Sequence, residues 1–396
     1  MKLLIAIPAL NEEQSIESII RRCLAARKNI VENGCVGEVE ITVVSDGSTD
    51  RTVEIAKQFT DSISLIVFEK NRGYGAAIKA AWEKSNADLV SFLDADGTCD
   101  PEFFADLCRN LAETHSDIVL GCRLNSKSKM PAVRRLGNIF YAALLSVFSN
   151  KKVRDTASGM RVVRRSALSK IMPLPDGLHF TPAMSARALL SPDIKIMEID
   201  MAYEERQGES KLRIWKDGLR FLRVILETAF LYRPARILWL GALLCFFYSG
   251  VLLVKPLQLY IQNHSIEDWM IYRLIVISFS AFMACLLASA GYLCAKIVML
   301  TLSGHILEEM NNWWLKKYFS NRFFWFVPGA LMAAGAVIIF PSLVEYIRTG
   351  HIHEHWSRFL MMSVLFSSAM ILSVTKLIDY ILDLIAARMA YLKNLP

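Results

Sequence analysis

Three aspartates follow a short apolar run in the segment LVSFLDADGTCDP, residues 89–101. Asp94 and Asp96 form a D-x-D pair, and alternate residues of a strand point the same way, so their carboxylates can converge on one point. Two ionised carboxylates at that distance repel each other unless a cation lies between them. A hard divalent cation such as Mg²⁺ or Mn²⁺ takes oxygen ligands and fills its shell with water and substrate phosphates. The pair therefore predicts a metal–diphosphate site, although solvated turns also carry D-x-D.

The turn NRGYGAAIKAA, residues 71–81, combines glycines with nearby cations. Gly73 and Gly75 allow the backbone to approach a phosphate. Arg72 and Lys79 would offset the charge of that phosphate. A plain helix N-terminus explains the same residues equally well, so the turn is a candidate, and not more, for a second part of the phosphate site.

Strand-like and helix-like segments alternate up to about residue 233. This order is typical of an α/β domain in which helices wrap a mostly parallel sheet. In such sheets ligands bind beyond the carboxyl ends of the strands. Three of the predicted strands are followed by the polar turns PALNEE, SDGSTD and DADGTCD, which we expect to meet at one edge of the sheet. In the second of these turns, Asp46 and Asp50 also suit ordinary turn and N-cap positions.

The sequence after residue 233 is dominated by long apolar stretches, and 54% of the whole chain is hydrophobic. Each stretch is long enough to cross a hydrocarbon core of ~30 Å, and they cover residues 236–254, 271–295, 324–344 and 358–382. Buried helices of a large soluble domain are the alternative, but such runs in succession rarely occur in water-soluble chains. We therefore predict three regions: a cytosolic catalytic domain at 1–209, an amphipathic juxtamembrane helix at 210–233, and a membrane domain with four transmembrane helices at 234–396.

The basic residues around the apolar stretches predict an orientation. The loop 301–322 and the C-terminal tail carry more lysine and arginine than the other two loops. The positive-inside rule therefore places the catalytic domain, this loop and the tail of a multi-pass membrane protein in the cytoplasm. His351, His353 and His355 then lie in a loop on the opposite side, where a solvated loop is favoured over a metal site.

The net charge and the cysteines indicate which partners and which redox environment the protein has. The net charge of +7 suits a protein that lies against anionic lipid and binds an acidic ligand. We find no DNA- or RNA-binding motif, so no nucleic-acid partner is predicted. The eight cysteines show neither a C-x-x-C pair nor zinc-type spacing, which favours a reduced, cytosolic environment for the polar half of the chain.

Two segments combine apolar and basic residues in a way typical of helices that lie in the membrane surface. Residues 136–150 include an apolar stretch that is too short to cross, with basic residues on both sides. Residues 211–233 place most lysines and arginines off one apolar helical stripe, which consists of Leu212, Trp215, Leu219, Leu222 and Leu226. The alternative is an ordinary amphipathic helix packed on the core of the domain.

A second polar group consists of arginines and of two short segments, DTASGMR at 155–161 and ERQGESK at 205–211. Arginine binds phosphate oxygens in a bidentate way, whereas a single arginine is more often a solvated or lipid-facing charge. Arg134 precedes the first interfacial segment and Lys211 opens the second, where the phosphate of a lipid would lie. Arg123 and Arg134 are therefore candidate phosphate ligands.

Six segments together resemble the family 2 glycosyltransferases with the GT-A fold: IPALNEEQSI, VVSDGSTDRT, NRGYGAA, FLDADGTCDPEFF, DTASGMRVVRRSAL and YEERQGESKLRIWKDGLRFL. Within that family they look most like the polyprenyl-phosphate glycosyltransferases of the dolichyl-phosphate mannose or glucose synthase type. The resemblance covers nearly all of residues 1–233 in order, and four C-terminal spans are a known arrangement in that group. It implies a Rossmann-like GT-A catalytic domain with a mostly parallel sheet, followed by an α-helical transmembrane domain.

The resemblance also implies roles for individual residues. The base and ribose of the donor would be held by Pro8, Asn11, Glu12 and Asp46. The cation, Mg²⁺ or Mn²⁺, would be held against the diphosphate by Asp94 and Asp96. The reaction centre would be lined by Asp155, Ser158 and Arg161, with Asp96, Asp155 and Arg161 as the catalytic residues. Phosphate near the membrane would be contacted by Arg206, Ser210 and Lys211.

Two positions depart from the pattern of the family. Ser45 precedes Asp46, where the family usually has two aspartates in the base-binding turn. Gly97 stands where a glutamine usually follows the D-x-D pair. The third ligand of the cation is therefore open, with Asp100 or a water molecule as the alternatives.

The resemblance therefore implies a metal-dependent hexosyltransferase. It would move a sugar, with inversion, from a nucleotide diphosphate sugar to a polyprenyl phosphate, dolichyl or undecaprenyl, on the cytoplasmic face of the bilayer. The acceptor phosphate is largely ionised near neutral pH because its second pKa is ~6, so a strong general base is dispensable and Asp155 would orient the acceptor.

Two other functions remain as alternatives. A membrane polysaccharide synthase needs a Q-x-x-R-W motif, which the sequence lacks. A transporter or flippase with a regulatory cytosolic domain is disfavoured, because the apolar stretches carry few ionisable residues beyond Lys296 and Lys376. Self-association into a homo-oligomer is left open by the sequence.

Overall fold

The chain folds into two compact units, Met1–Ala229 and Phe230–Pro396. The computed structural model describes residues 1–126, 128–205, 214–263, 266–301 and 322–393. The predicted sites Arg206, Ser210 and Lys211 lie outside these described residues, and so does most of the basic loop 301–322.

In the described part of the first unit, seven strands form one mixed sheet in the order β3-β2-β1-β4-β6-β5-β7. Only β6 runs antiparallel to its neighbours there, so the sheet is mostly parallel and the predicted α/β class is confirmed. The strands are β1 (Lys2–Ala9), β2 (Glu38–Ser45), β3 (Ser64–Val67), β4 (Leu89–Phe92), β5 (Ile118–Cys122), β6 (Arg161–Arg164) and β7 (Ile196–Asp200).

Helices cover both faces of this sheet, which is why β1 is apolar on both sides. Leu3, Ile5 and Ile7 pack on one face against α1 and α4, while Leu4 and Ala6 pack on the other against α3 and α7. The helices of this unit are α1 (Ile16–Asn33), α2 (Thr52–Lys57), α3 (Tyr74–Lys84), α4 (Phe104–Glu113), α5 (Ala132–Phe148), α6 (Leu168–Ile171), α7 (Phe180–Leu190) and α8 (Ile214–Tyr232), whose last residues belong to the second unit.

The carboxyl ends of β1, β2 and β4 meet at one edge of the sheet. The backbone N–H of Asp46 donates to Ala9 O at 2.8 Å, and that of Leu93 donates to Ala6 O at 2.9 Å. The three polar turns therefore lie side by side, as the order of predicted strands required.

The glycines of the turn before α3 serve a close contact with the loop that precedes α7. Gly73 has φ +108°, and the N–H of Gly75 donates to Asp176 O at 2.6 Å. A Cβ on Gly75 would stand 2.2 Å from Pro175 O, so a side chain there has no room. Lys79 is also part of this contact, because its Nζ lies 2.6 Å from Asp176 Oδ1. These residues thus join two loops, and their contact with a phosphate stays a prediction.

The described part of the second unit is helical. By length and composition, its four long helices could each cross a membrane, and each contains or overlaps one predicted apolar stretch. They are α9 (Pro234–Asn263), α10 (Ile271–Thr301), α11 (Phe326–Thr349) and α12 (Ser357–Lys393).

A buried polar network joins α10 to α12. Tyr292 donates its hydroxyl to Asp379 Oδ1 at 2.7 Å, and Lys296 forms ion pairs with Asp379 and, at 2.8 Å, with Asp383. Lys376 Nζ lies 3.3 Å from Asp379 Oδ2. Charges in membrane helices are usually paired in this way, since an isolated charge is costly to bury.

Candidate active site

A cavity of about 550 Å³ opens at the sheet edge where the three polar turns meet. Eight of the thirteen predicted site residues in the described part of the chain line it, namely Pro8, Glu12, Asp46, Gly73, Asp94, Asp96, Arg123 and Arg134. Asn11, Arg72, Asp155, Ser158 and Arg161 were also predicted but are not among its lining residues. The turns after β1, β2 and β4 form one wall, and helices α5 and α8 form another.

The carboxylate of Asp94 is held between a tyrosine and a glycine. Tyr74 donates its hydroxyl to Asp94 Oδ1 at 2.6 Å, and its ring packs edge-on against Phe92 and Phe180. Burial raises the pKa of Tyr74 far above its usual range, and the neighbouring charge of Asp94 adds to this effect, so the hydroxyl remains a donor. On the other side, a Cβ at Gly159 would stand 2.2 Å from Asp94 Oδ2. The position of Asp94 therefore depends on both neighbours.

Asp96 is fixed by its own turn. Strand β4 ends at Phe92, so the D-x-D pair lies beyond the strand, and the expectation that strand alternation orients both carboxylates is wrong. Instead, the N–H and Oγ1 of Thr98 donate to Asp96 Oδ1 at 3.2 and 2.7 Å. Gly97 makes this turn possible with φ +75°, in the region that favours glycine.

The donor set at this edge fits a divalent cation that shares its shell with a substrate. Within the described residues, no three His, Cys, Asp or Glu side chains gather in a way that could hold a metal alone. Asp94 and Asp96 nevertheless line the same cavity, and Mg²⁺ is commonly bound by one or two carboxylates together with phosphates and water. Asp100 was a candidate third ligand, but its Oδ1 accepts from the Glu102 N–H at 3.2 Å as a helix N-cap.

Asp46 supports the turn before α3 from within the cavity wall. Its Oδ1 accepts from the Arg72 N–H at 2.7 Å, and its Oδ2 accepts from the Gly73 N–H at 3.0 Å. Burial raises the pKa of Asp46, and these two hydrogen bonds oppose that rise. Arg72 turns its guanidinium over the Phe68 ring at 4.6 Å. The structure thus shows a turn-supporting role for Asp46, and its contact with a nucleotide stays a prediction.

Asn11 also has a structural contact, in the turn after β1. Its Oδ1 accepts from the Thr49 N–H at 2.8 Å, and its backbone has φ +49°. This bond links the first polar turn to the second, so Asn11 joins the two loops that carry Glu12 and Asp46.

Arg123 reaches the cavity from a buried ion pair. Its Nε and Nη2 donate to Asp155 Oδ2 and Oδ1 at 2.7 and 2.9 Å. Burial would raise the pKa of Asp155, but the charge of Arg123 and the hydrogen bonds to the carboxylate outweigh it and hold that pKa below its usual range. Asp155 has no accessible surface and lies behind the arginine. In the structure Asp155 therefore positions Arg123, and Arg123 faces the cavity.

Arg161 and Ser158 shape the turn that carries Gly159. The buried Arg161 donates from Nε to Ser158 O at 3.0 Å and from Nη2 to Thr156 O at 2.9 Å. Burial lowers the pKa of Arg161 to about 10. Both residues are fully buried, and the structure brings neither of them to the cavity surface.

Several lining residues were missed by the sequence analysis. They are Tyr74, Asn138, Tyr141, Gly159, Tyr203, Arg220 and Phe221. A signal existed for Asn138, which is a polar residue in the apolar segment LGNIF, and for Arg220, which lies in the basic amphipathic segment. The others become visible only when distant segments pack together.

The helical wall of the cavity is basic and apolar. Helices α5 and α8 are joined by Tyr141, which donates its hydroxyl to Gly218 O at 2.8 Å and packs edge-on against Phe221. Arg134 projects from α5 and Arg220 from α8, where the buried Asp217 binds Arg220 Nη1 at 3.0 Å. The turns after β1, β2 and β4 bring the carboxylates of Glu12, Asp46, Asp94 and Asp96 to the same cavity. One cavity thus combines an acidic wall with a basic, partly apolar one.

The chain matches the family model described as Glycosyl transferase family 2 over residues 4–172. It is 33% identical over 222 residues to a dolichyl-phosphate hexose transferase of Haloferax volcanii, covering 55% of this chain and 90% of that relative. It is 33% identical over 229 residues to the low-salt glycan biosynthesis hexosyltransferase Agl6 of the same organism, covering 57% of this chain and 53% of that relative, about half its length. The chain therefore belongs to glycosyl transferase family 2.

Two further proteins are similar. An undecaprenyl-phosphate 4-deoxy-4-formamido-L-arabinose transferase of Photorhabdus laumondii is 30% identical over 242 residues, which is 60% of this chain and 70% of that relative. Among solved structures, glucosyl-3-phosphoglycerate synthase from Mycobacterium tuberculosis in complex with Mn²⁺, UDP-glucose and phosphoglyceric acid is 20% identical with a TM-score of 0.47, over 58% of this chain and 79% of that chain.

The contact between Gly159 and Asp94 makes a testable prediction. In Gly159→Ala the new methyl would occupy the place of Asp94 Oδ2 and displace the carboxylate, since the two would be 2.2 Å apart. We expect kcat/KM for glycosyl transfer to fall by about 100-fold, because a displacement near 1 Å at a reacting site has an effect of that order.

The matched control is Gly37→Ala, where the nearest atom to the new Cβ is Met1 O at 4.0 Å. Thermal unfolding midpoints of both variants would show that each remains folded. A Gly159→Ala enzyme as active as the control would show that the observed position of Asp94 is not required.

Proposed function

We propose that this protein transfers a hexose from a nucleotide diphosphate sugar to a polyprenyl phosphate at the cytoplasmic face of a membrane. The observation that carries the proposal is the cavity with one acidic wall and one basic, partly apolar wall. The relatives named for dolichyl-phosphate and undecaprenyl-phosphate transfer support the acceptor class.

The acidic wall is the proposed donor site. Asp94 and Asp96 would hold Mg²⁺ or Mn²⁺, and Pro8, Asn11, Glu12 and Asp46 are the predicted contacts for the base and ribose. When bound, the cation would offset the negative charge of the departing diphosphate. Tyr74 and Thr98 keep the two carboxylates in place before a substrate arrives, so little reorganisation is needed.

The helical wall is the proposed acceptor site. A phosphate monoester carries close to two charges at neutral pH, and arginine can bind its oxygens in a bidentate way. Arg123, Arg134 and Arg220 would share that phosphate, while Tyr141 and Phe221 would contact the first isoprene unit. Because the cation side and the arginine side belong to one cavity, donor and acceptor would meet without a second binding site.

The chemistry needs few groups from the protein. An ionised acceptor oxygen would attack the anomeric carbon as the bond to the diphosphate breaks, which inverts the configuration at that carbon. Asp155 is too deeply buried to act on the acceptor and instead holds Arg123 toward it. Holding both reactants in the attack geometry would then supply much of the rate.

The surface of the first unit suits contact with a bilayer. Val133, Leu136 and Phe140 on α5 expose 60%, 70% and 55% of their surface, and Trp215 and Leu219 on α8 expose 87% and 67%. Apolar faces flanked by basic residues are typical of helices that lie in the interface. With the four candidate spans of the second unit, they support a multi-pass protein whose active site faces the acceptor headgroup.

A transfer assay tests the proposed function. Membranes that contain the protein are incubated with polyprenyl phosphate and a radiolabelled panel of UDP-, GDP- and dTDP-hexoses, with Mn²⁺ or with EDTA. We expect one donor to give label that extracts into organic solvent, and we expect EDTA to abolish it. Asp96→Asn supplies the inactive control. If no donor of the panel labels the lipid, the proposed function is wrong.

Arg220 provides a separate prediction for the acceptor side. In Arg220→Gln one charge-assisted contact to the acceptor phosphate is lost, a contribution of about 1.5–3 kcal/mol. We therefore expect the KM for polyprenyl phosphate to rise about 10- to 100-fold while the KM for the donor changes less than about 2-fold.

The control is Arg223→Gln on the same helix, because Arg223 is exposed, pairs with Glu227 at 2.7 Å and does not line the cavity. Steady-state kinetics with each substrate varied in turn separate the two KM values. Equal effects of Arg220→Gln and Arg223→Gln on the acceptor KM would remove Arg220 from the site.

A further inference from the structure

We propose that Asn138 is a positioning residue that links the membrane-facing helix α5 to Arg123, so that contact with the bilayer sets the position of this arginine. The proposal rests on the proposed function, because it assigns a purpose to the bilayer contact of α5. Asn138 lines the cavity, but it would act on the acceptor through Asp155 and Arg123.

The side chain of Asn138 is buried and both ends of its amide are used. Its Nδ2 donates to Asp155 Oδ1 at 2.7 Å, and its Oδ1 accepts from Thr156 Oγ1 at 3.2 Å. An ionised carboxylate only accepts hydrogen bonds, so the nitrogen must face Asp155 and the orientation of the amide is fixed.

Asp155 connects Asn138 to Arg123, which lines the cavity. The oxygen that accepts from Asn138 also accepts from Arg123 Nη2 at 2.9 Å, and the other oxygen accepts from Arg123 Nε at 2.7 Å. All three side chains are buried, where hydrogen bonds are stronger and leave little freedom to shift independently. A displacement of α5 therefore moves Asn138, then Asp155, and then the guanidinium that faces the acceptor.

The opposite side of α5 is apolar and exposed. This outer face of α5 consists of Leu136, Phe140 and Val147, spaced as neighbours on one side of a helix. The buried side carries Asn138, Ala142 and Leu145 with the same spacing. One rigid helix thus presents lipid-type residues outward and a single amide inward, to the Asp155–Arg123 pair.

Packing alone does not explain an asparagine at position 138. Its neighbours on the buried side of α5 are Ala142 and Leu145, and a buried amide is unfavourable unless its hydrogen bonds are made. The bonds to Asp155 and Thr156 satisfy it, so the residue type matches a connection between helix and ion pair and not a space to be filled.

A double-mutant cycle tests the connection. The full-length protein is reconstituted in vesicles of phosphatidylcholine and phosphatidylglycerol, with a short, water-soluble prenyl phosphate as acceptor so that acceptor partitioning plays no part. Leu136→Ser weakens the bilayer contact of the outer face, and Asn138→Ala removes the link. Residues two positions apart on a helix do not face each other, so direct contact between these side chains cannot couple them.

We expect each single variant to lower kcat/KM for the acceptor about 5-fold and the double variant to be no worse than Asn138→Ala, because both break the same path. The KM for the donor should stay within about 2-fold. Ser146→Ala, whose hydroxyl donates to Ala142 O within the same helix at 2.7 Å, is the control and should retain the full rate in either background.

Three results would overturn the proposal. A loss of kcat/KM of about 25-fold in the double variant would be additive and would show that the two changes act independently. Unchanged kinetics of Leu136→Ser would show that the outer face of α5 does not act on the site. Equal increases in both KM values would indicate general loosening of the fold. Asn138→Leu, which fills the space without the hydrogen bonds, repeats the cycle if Asn138→Ala fails to fold. If the unmodified protein transfers no sugar in vesicles, the proposed function fails, whereas transfer without coupling overturns the role of Asn138 alone.

Discussion

The repulsion between two neighbouring carboxylates is the constraint around which the active-site edge is built. Asp94 and Asp96 line one cavity, and two like charges that share a site favour a cation between them. The surrounding residues keep them in place: Tyr74 binds Asp94, Gly159 leaves room for it, and Thr98 binds Asp96. In the proposed function, these contacts would prepare the site for a cation with a diphosphate before either arrives, which is how preorganised electrostatic sites lower barriers.

Two arginines that line the cavity are each held by an aspartate. Asp155 holds Arg123 and Asp217 holds Arg220, and both of these aspartates are buried. Each pair places its acid behind the arginine, so the cation of the pair is what faces the ligand. Helices α5 and α8, which carry Arg134 and Arg220, also expose apolar side chains such as Leu136 and Trp215.

The sequence predicted the elements and the sheet edge at which the cavity opens, because those follow from local patterns. Alternating strands and helices imply a parallel sheet, and its carboxyl edge gathers the turns that carry Glu12, Asp46 and Asp94. The four apolar stretches are equally local and reappear as long helices in the second unit.

The remaining features depend on contacts between distant segments. Gly75 contacts a loop about one hundred positions further along the chain. Local spacing does not reveal such a contact, and it therefore suggested only phosphate binding. Asp155 and Arg161 stand in a motif that the resemblance places at the reaction centre, yet tertiary packing buries both. Asn138 and Arg220 enter the site through the packing of α5 and α8, which periodicity described only as amphipathic. The sequence thus predicted the positions of the elements better than the orientations of the side chains.

Binding of Mn²⁺ tests the central claim most directly. Electron paramagnetic resonance can count bound Mn²⁺ in the purified full-length protein with UDP and, separately, with GDP. We expect about one Mn²⁺ per chain with the matching nucleoside diphosphate, its loss in Asp96→Asn, and its retention in Asp100→Asn, whose carboxylate caps a turn outside the cavity. Binding by Asp96→Asn equal to that of the unmodified protein would contradict the account.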